Sequence, residues 1–157
     1  NLDINHLNQA TNTQNYIFNR LDYLLWKINT VEQGVAPKAF KLNPATINKF
    51  SFSFRSSVEH YYPQHPIGGE PLPNCDRFGN LCLISRSNNS KLSNYLPTAK
   101  KEHYAKSTTI ESLKQQIMMN YSQWGPDAIQ SIEEHEAAMI KLLSKKDCEI
   151  IEGAIYA

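Results

Sequence analysis

The sequence lacks the features that would place it in a membrane or on a secretory route. Among its 157 residues, no continuous apolar stretch approaches the length that a bilayer-spanning helix needs. The first residues, Asn1-Leu2-Asp3-Ile4, do not have the charged and then apolar layout of a signal peptide. Internal repeats and low-complexity tracts are also missing. These absences predict a soluble, cytoplasmic protein.

Cysteine is scarce and shows no pairing pattern. The three cysteines, Cys75, Cys82 and Cys148, are odd in number and have no Cys-x-x-Cys spacing, and chains without secretory features seldom form disulfides. Free thiols are therefore predicted. A zinc site built on Cys75 and Cys82 is the weaker alternative, because zinc sites need cysteine or histidine in nearby pairs. Cys82 stands between Leu81 and Leu83 and is predicted to lie in the core.

Length and composition indicate one compact domain. A chain of 157 residues with 41% apolar content can bury a sizeable core but is short for two domains. We divide it into a support helix and loop at 1–49, a central motif at 50–106 and helices at 107–157. The first residue is not methionine, so a piece of a larger polypeptide is expected, although processing would leave the same sequence.

Net charge is close to zero, but its distribution is uneven. Residues 49–106 carry eight basic and four acidic side chains, whereas residues 107–157 carry four lysines and eight acidic side chains. A basic centre and an acidic end are typical of a protein whose middle surface meets a polyanion. Ordinary scatter of charges is the alternative, and charge alone does not indicate nucleic acid.

Helical periodicity occupies most of the chain outside its centre. Apolar residues recur at three- and four-residue steps, which gives each predicted helix one buried stripe. The predicted helices span 12–29, 98–106, 109–121 and 126–144, with a short helical turn at 44–49. Several helices are therefore expected to surround the central motif.

The centre of the chain is predicted to be extended. Alternating phenylalanines predict a strand, or two short strands, over 50–62. A loop rich in proline and glycine follows at 64–77, and a second strand at 78–85. Ser87 would cap a short helix after it. The resulting unit is strand, loop, strand and helix, with the two strands forming an antiparallel ribbon.

Three polar positions in this unit carry the candidate chemistry. Glu59 and His60 close the first strand, Asn80 begins the second, and Asn89 lies at the start of the helix. Histidine accepts protons near neutral pH, and Mg²⁺ takes carboxylate and amide oxygens while it keeps several waters. His60 is thus the candidate base. Glu59 and Asn89 are the candidate ligands of one metal ion that neutralises charge during phosphodiester hydrolysis.

Strand geometry limits this site. Neighbouring side chains on a regular strand point to opposite faces, so Glu59 and His60 share a site only if the strand bends there. Pro63, soon after, favours an irregular strand end. Asn80 would lie across from this bend. Because its amide donates and accepts at once, we assign it to orient the loop or the histidine, not to bind metal.

The motifs resemble those of a nuclease family. Three segments resemble, in their residues and in their order, the motifs of the HNH nucleases of the His-Me finger, or ββα-metal, group. These segments are Val58-Glu59-His60-Tyr61-Tyr62-Pro63-Gln64, Gly79-Asn80-Leu81 and Asn89-Ser90-Lys91. They most resemble the C-terminal nuclease domain of GmrSD-type restriction enzymes. The third motif position holds Asn89 in place of the histidine of the HNH name, and asparagine is common there in the family. The resemblance in the motifs covers residues 55–104.

The resemblance implies a fold, a reaction and a set of roles. The expected fold is α+β, with a ββα-metal core built on a two-stranded antiparallel ribbon and surrounded by helices. The expected reaction is metal-dependent cleavage of DNA, with Mg²⁺ or Mn²⁺ as cofactor, in the restriction of foreign or modified DNA. His60 would be the general base, Asn80 structural, and Glu59 and Asn89 the metal ligands. An upstream NTPase-like domain of the same polypeptide is the expected partner.

Simpler explanations exist for several of these residues. Arg86, Lys91 and Lys100 are candidate phosphate contacts, although an exposed basic side chain is usually only solvated. Asn89 could merely cap the helix, and Asn80 could merely occupy a turn. The alternative functions are a non-cleaving nucleic-acid-binding module and a domain-docking module on the same scaffold.

Overall fold

The computed structural model describes residues 3–31 and 36–145. Within these ranges, six α-helices surround one short two-stranded sheet. The helices are α1 (Asn15–Val31), α2 (Pro44–Lys49), α3 (Arg86–Leu92), α4 (Pro97–Ala105), α5 (Leu113–Met119) and α6 (Ile129–Leu143). None of these helices has the length and apolar character that crossing a membrane requires.

The sheet is a ribbon of two antiparallel strands, β1 (Ser57–His60) and β2 (Leu81–Ile84). Its register places Ser57 opposite Ile84 and His60 opposite Leu81. A long loop joins the strands, and α3 follows β2 almost directly, which is the predicted order of strand, loop, strand and helix. Helices combined with an antiparallel ribbon confirm the α+β class.

The first strand is shorter than the alternating phenylalanines predicted. Residues 51–56 belong to no strand, and Phe50 forms only an isolated bridge to Ile110. Phe52 and Phe54 are 57% and 91% exposed. Alternation produces a strand where one face is covered and a neighbouring strand pairs with the backbone. Neither condition holds for Phe52 and Phe54, so the first half of the predicted strand is wrong.

The start of α3 also differs from its prediction. The hydroxyl of Ser85 accepts a hydrogen bond from the backbone N–H of Asn88 at 3.3 Å, which is the arrangement of an N-cap. Ser87 lies inside the helix and does not cap it. Because the cap is at Ser85, Asn89 is an interior residue of the helix, and capping does not explain its presence.

In the part of the chain that the structure describes, the core consists of two clusters of buried side chains, one on each face of the ribbon. One cluster joins the apolar stripe of α1 to residues of α5 and α6 and to Leu81 and Leu83. The other cluster holds Cys82 and Ile84. It also contains three aromatic side chains, those of Tyr61, Tyr62 and Trp124. Side chains along β2 thus alternate as predicted, and the buried faces of α1 and α6 follow their apolar periodicity.

A buried ionic network fixes the helices beside the ribbon. Arg55 Nη1 lies 2.5 Å from Asp22 Oδ2, and both side chains are buried. The backbone N–H of Lys114 donates to Asp22, and the Lys114 ammonium donates to the carbonyl of Leu81. Burial raises the pKa of Asp22 against the opposing effect of Arg55. The network ties α1, α5 and β2 together.

The cysteines within the described ranges are free, as predicted. Cys75 is partly buried, and Cys82 is fully buried in the core. Burial raises the pKa of the Cys82 thiol strongly. Cys148 lies outside the described residues.

Candidate active site

His60 ends β1 and faces a carboxylate. Its Nε2 atom lies 2.7 Å from Oδ1 of Asp76, and the two side chains are 11% and 48% exposed. Asp76 belongs to the loop between the strands, in a tight turn where Asn74 has φ of 55° and its carbonyl accepts from the N–H of Arg77. A carboxylate at this distance orients the ring and favours the tautomer with hydrogen on Nε2. Nδ1 is then the proton acceptor.

Asn80 fastens the end of β1 to this loop. Its side chain is fully buried. Oδ1 accepts from the N–H of Tyr62 and from the indole N–H of Trp124, both at 2.9 Å. Nδ2 donates to the carbonyls of Tyr62 and Cys75, both at 2.9 Å. Every hydrogen-bonding position of the amide is used. The Asn80 side chain therefore fixes the position of the backbone after β1 relative to the turn that contains Cys75 and Asp76.

Helix α6 anchors the start of β2. The backbone N–H of Gly79 donates to Oε2 of Glu136 at 2.8 Å, and the Arg77 guanidinium donates to both oxygens of the same carboxylate at 2.9 and 3.2 Å. A Cβ at Gly79 would lie 2.7 Å from the Cβ of Glu136, so this approach requires glycine. Burial would raise the pKa of Glu136, but these hydrogen bonds lower it overall.

Glu59 lies on the opposite side of the ribbon from His60. Strand pairing is regular through both residues, so the bend that would bring the two side chains together is absent from β1. Oε2 of Glu59 accepts from Gln115 Nε2 at 2.6 Å, and Oε1 lies 3.2 Å from Nζ of Lys100. Burial raises the pKa of Glu59, and Lys100 opposes the rise. The structure therefore does not bring Glu59 and His60 to one metal position.

Lys100 is an internal cation. Its side chain is fully buried, and Nζ donates to the carbonyls of His60 at 2.7 Å and Tyr61 at 3.0 Å, besides its ion pair with Glu59. Three oxygens thus surround the ammonium, which balances the charge of the buried carboxylate. The predicted phosphate contact does not fit this position, because no part of the Lys100 side chain reaches solvent.

Helix α3 places Asn89 against β1. Nδ2 of Asn89 donates to Oγ of Ser57 at 2.6 Å. Ser57 and Glu59 are two residues apart on one strand, so their side chains share a face. Asn89 is therefore on the Glu59 side of the ribbon, away from the histidine. Arg86 and Lys91, on the same helix, are exposed.

The possible metal ligands fall on both sides of the ribbon. The Glu59 carboxylate is already paired with Lys100 and is 1% exposed, so it does not present an open oxygen to Mg²⁺. Across residues 3–31 and 36–145, one group of three histidine, cysteine or acidic side chains has ligand atoms within 4.8 Å of one another. That group is His60, Cys75 and Asp76.

Asp76 has no role in the prediction made from sequence. It lies sixteen residues after His60, in a loop whose path the sequence does not determine. The one sequence feature that could have indicated Asp76 is its position just before Gly79-Asn80. A short turn at that point brings the loop back to the end of β1. That signal is weak, because acidic residues are common in exposed loops.

The chain matches a family model described as GmrSD restriction endonucleases, C-terminal domain, over residues 2–142. Comparisons with curated proteins and with solved structures give no match. The matched range includes both strands, the loop between them and all three polar motifs. This chain therefore belongs to the family of C-terminal domains of GmrSD restriction endonucleases.

Proposed function

We propose that this domain is a DNA endonuclease that hydrolyses phosphodiester bonds, with His60 as the general base. Membership of the family supports a restriction-type nuclease domain. The observation that carries the proposal is the pair of His60 and Asp76, with Nε2 2.7 Å from Oδ1 and the carboxylate about half exposed. Restriction of foreign or modified DNA is the proposed biological role.

The proposed reaction uses the second nitrogen of His60. With Nε2–H donating to Asp76, Nδ1 takes the proton of the attacking water as the water oxygen bonds to phosphorus. The Asp76 carboxylate stabilises the imidazolium that forms. The departing oxygen takes a proton from solvent, and the imidazolium returns its proton to solvent.

The proposed scaffold for this reaction is a ββα-metal core made of β1, β2 and α3. Its support is the order of the three elements and the hydrogen bond from Asn89 on α3 to Ser57 on β1. Asn80 is a positioning residue in this scheme, because its amide is fully buried and hydrogen-bonds to the backbone of Tyr62, shortly after His60, and of Cys75, next to Asp76.

Metal dependence is a further part of the proposal. The family resemblance implies Mg²⁺ or Mn²⁺, which when bound would neutralise charge on the phosphate. Glu59 and Asn89, the ligands expected from the resemblance, lie on one face of the ribbon, but the Glu59 carboxylate is paired with buried Lys100. Glu59 does not fit an incoming Mg²⁺ in this arrangement, and no step of the reaction is assigned to the ion.

The proposed partners are DNA and an upstream NTPase-like domain. Arg86 and Lys91 lie exposed on α3 and are proposed to contact phosphates. Exposed aromatic residues, among them Phe52 and Phe54, are available for a neighbouring domain.

Cleavage of supercoiled plasmid by the 157-residue chain, in Mg²⁺ and in Mn²⁺, tests the proposal. We expect the parent to nick or linearise the plasmid and His60→Ala to slow cleavage by about 10²–10⁴-fold. His65→Ala is the matched control, because His65 is exposed in the adjoining loop and has no proposed role. Cleavage by His60→Ala at the parent rate would show that the base assignment is wrong.

A non-cleaving nucleic-acid-binding or domain-docking module is the second candidate. The observation that favours it is the ion pair of Glu59 with Lys100, which occupies the carboxylate that a metal would need. Salt-dependent DNA binding by the parent chain, with no cleavage in either metal, would support this candidate over the nuclease.

A further inference from the structure

Cys75 lies beside the proposed base but has no part in the proposed reaction. We propose that His60, Cys75 and Asp76 together bind a thiophilic divalent ion of the Zn²⁺ class, and that this ion blocks His60 as a base. Binding stands on the geometry of the three side chains. Inhibition rests on the proposed nuclease function, so the two parts can fail separately.

The three ligand atoms are already close to a metal-binding arrangement. One nitrogen of His60, Sγ of Cys75 and one carboxylate oxygen of Asp76 lie within 4.8 Å of one another. In a tetrahedral zinc site, bonds of about 2.0–2.3 Å place the ligand atoms roughly 3.3–3.8 Å apart. Closing the site would therefore bring the most distant ligand atoms together by no more than about 1.5 Å.

The backbone that carries these ligands is held from both sides. The Cys75 carbonyl accepts a hydrogen bond from the buried Asn80 at 2.9 Å. Next to Asp76 in the chain, Arg77 is fixed to Glu136 of α6. His60 is set by its pairing with Leu81 in the ribbon. Ligands carried on a fixed backbone bind an ion with less loss of entropy than ligands on a free loop.

The donor set selects the class of ion. One imidazole, one thiolate and one carboxylate suit Zn²⁺, which accepts nitrogen, sulfur and oxygen, and leave a fourth position for water. Mg²⁺ takes oxygen ligands and is a poor partner for sulfur. Asp76 is 48% exposed, so the ion can enter from solvent.

Binding of such an ion would remove the proposed base. An ion on Nε2 of His60 requires that nitrogen to be unprotonated, so the ring hydrogen moves to Nδ1. Nδ1 then has no lone pair for the proton of water. The Cys75 thiol releases its own proton to solvent as the sulfur–metal bond forms.

Cobalt titration tests the binding part without any activity measurement. Co²⁺ substitutes for Zn²⁺ and gives a near-ultraviolet thiolate-to-cobalt charge-transfer band only when sulfur is a ligand. We expect this band in the Cys148→Ser chain and no band in the double variant Cys148→Ser, Cys75→Ser. Added Zn²⁺ should displace Co²⁺ from the Cys148→Ser chain and so remove its band. Cys82→Ala in the same Cys148→Ser chain is the matched control, because Cys82 lies on the other face of the ribbon, and should keep the band.

Equilibrium dialysis of Zn²⁺ supplies a second readout. Cys75→Ser should weaken binding by at least about tenfold. Circular dichroism of each variant establishes that it is folded. If the folded Cys148→Ser chain gives no charge-transfer band, or if the band persists after Cys75→Ser, the proposed metal site is wrong.

Plasmid cleavage tests the inhibition part. Zn²⁺ added in the presence of Mg²⁺ should slow the parent more than it slows Cys75→Ser, each compared with its own zinc-free rate. Equal slowing of both chains, when cobalt has shown the site to exist, would overturn inhibition alone. If the parent never cleaves, the nuclease proposal fails, while the cobalt band still decides whether the site exists.

Discussion

His135 is a buried histidine of α6. Among residues 3–31 and 36–145, no group hydrogen-bonds to either of its ring nitrogens, and the ring packs edge-on against Tyr121 and Trp124, with centroids 6.1 and 5.5 Å away. Burial, and then nearby Lys114, hold its pKa well below the usual range. His135 therefore acts as a neutral aromatic residue of the core.

We predict that His135 weakens the fold in mild acid. Below about pH 6.5 this histidine is protonated in the unfolded chain and neutral in the folded one. Because the unfolded state then binds more protons, the free energy of unfolding falls as the pH drops, by at most about 1.4 kcal/mol per pH unit. Urea denaturation between about pH 7 and pH 5 measures this slope.

The control for His135 is another histidine of the same chain. His135→Phe should reduce the acid slope, whereas His6→Gln, at an exposed position, should leave it as in the parent. An acid slope that is the same in His135→Phe and in the parent would contradict the assignment.

Sequence motifs made His60 and Asn80 candidates because both stand in short ordered patterns. The amide chemistry of Asn80 suggested an orienting role, but its bond partners depend on how the loop folds back. Asp76 was missed for the same reason. Lys100 was predicted to contact phosphate but is buried. The sequence does not show that Lys100 pairs with a buried glutamate, Glu59, forty-one residues earlier in the chain.

At the scale of elements, the ion pair of Glu59 with Lys100 joins β1 to α4. Both side chains are fully buried, and Lys100 also donates to the carbonyls of His60 and Tyr61 at the end of the strand. Removing either partner leaves an uncompensated charge in the interior. The pair thus fixes α4 to the strand that carries the proposed base.

We predict that Lys100→Met lowers the free energy of unfolding by about 3–5 kcal/mol. Glu59→Gln should also destabilise, and the double variant should lose less than the two single losses together, because it buries no unpaired charge. Urea denaturation in EDTA measures all four chains in the absence of metal. If Glu59→Gln left stability in EDTA unchanged and abolished Mg²⁺ binding, Glu59 would be a metal ligand and not a structural partner.

The helices were easier to predict than the strands. A buried stripe at helical spacing specifies α1 and α6 locally, because the helix makes its own backbone hydrogen bonds. A strand needs a partner from elsewhere in the chain, and within the described ranges residues 50–54 pair with no strand, apart from the isolated bridge between Phe50 and Ile110. Pairing, not alternation, therefore decided where β1 begins.

At the scale of the whole molecule, the ribbon divides the core, and the candidate residues lie on both of its sides. His60 and Asp76 are on one side, whereas Glu59 and Asn89 are on the other. The order of motifs along the chain could not reveal this division, because adjacent positions on a regular strand face opposite ways.

We predict that α3 supplies part of the DNA-binding surface. Arg86→Gln and Lys91→Gln should each weaken binding to a DNA duplex. Each should also reduce the slope of log K against log salt by about 0.9 for every phosphate contact that is lost. Fluorescence anisotropy across a salt series measures this slope. Lys141→Gln, an exposed lysine on α6, is the control, and an equal effect from it would mean that α3 has no special part in binding.

The central claim is that His60 and Asp76 act as one unit in phosphodiester cleavage. The most direct measurement is the cleavage rate of four chains under identical metal and salt conditions: the parent, His60→Ala, Asp76→Ala and the double variant. If Asp76 acts only through His60, each single variant is slower than the parent and the double variant is no slower than His60→Ala. The claim would be contradicted if the double variant lost the product of the two single fold-losses in cleavage rate, or if Asp76→Ala cleaved at the parent rate.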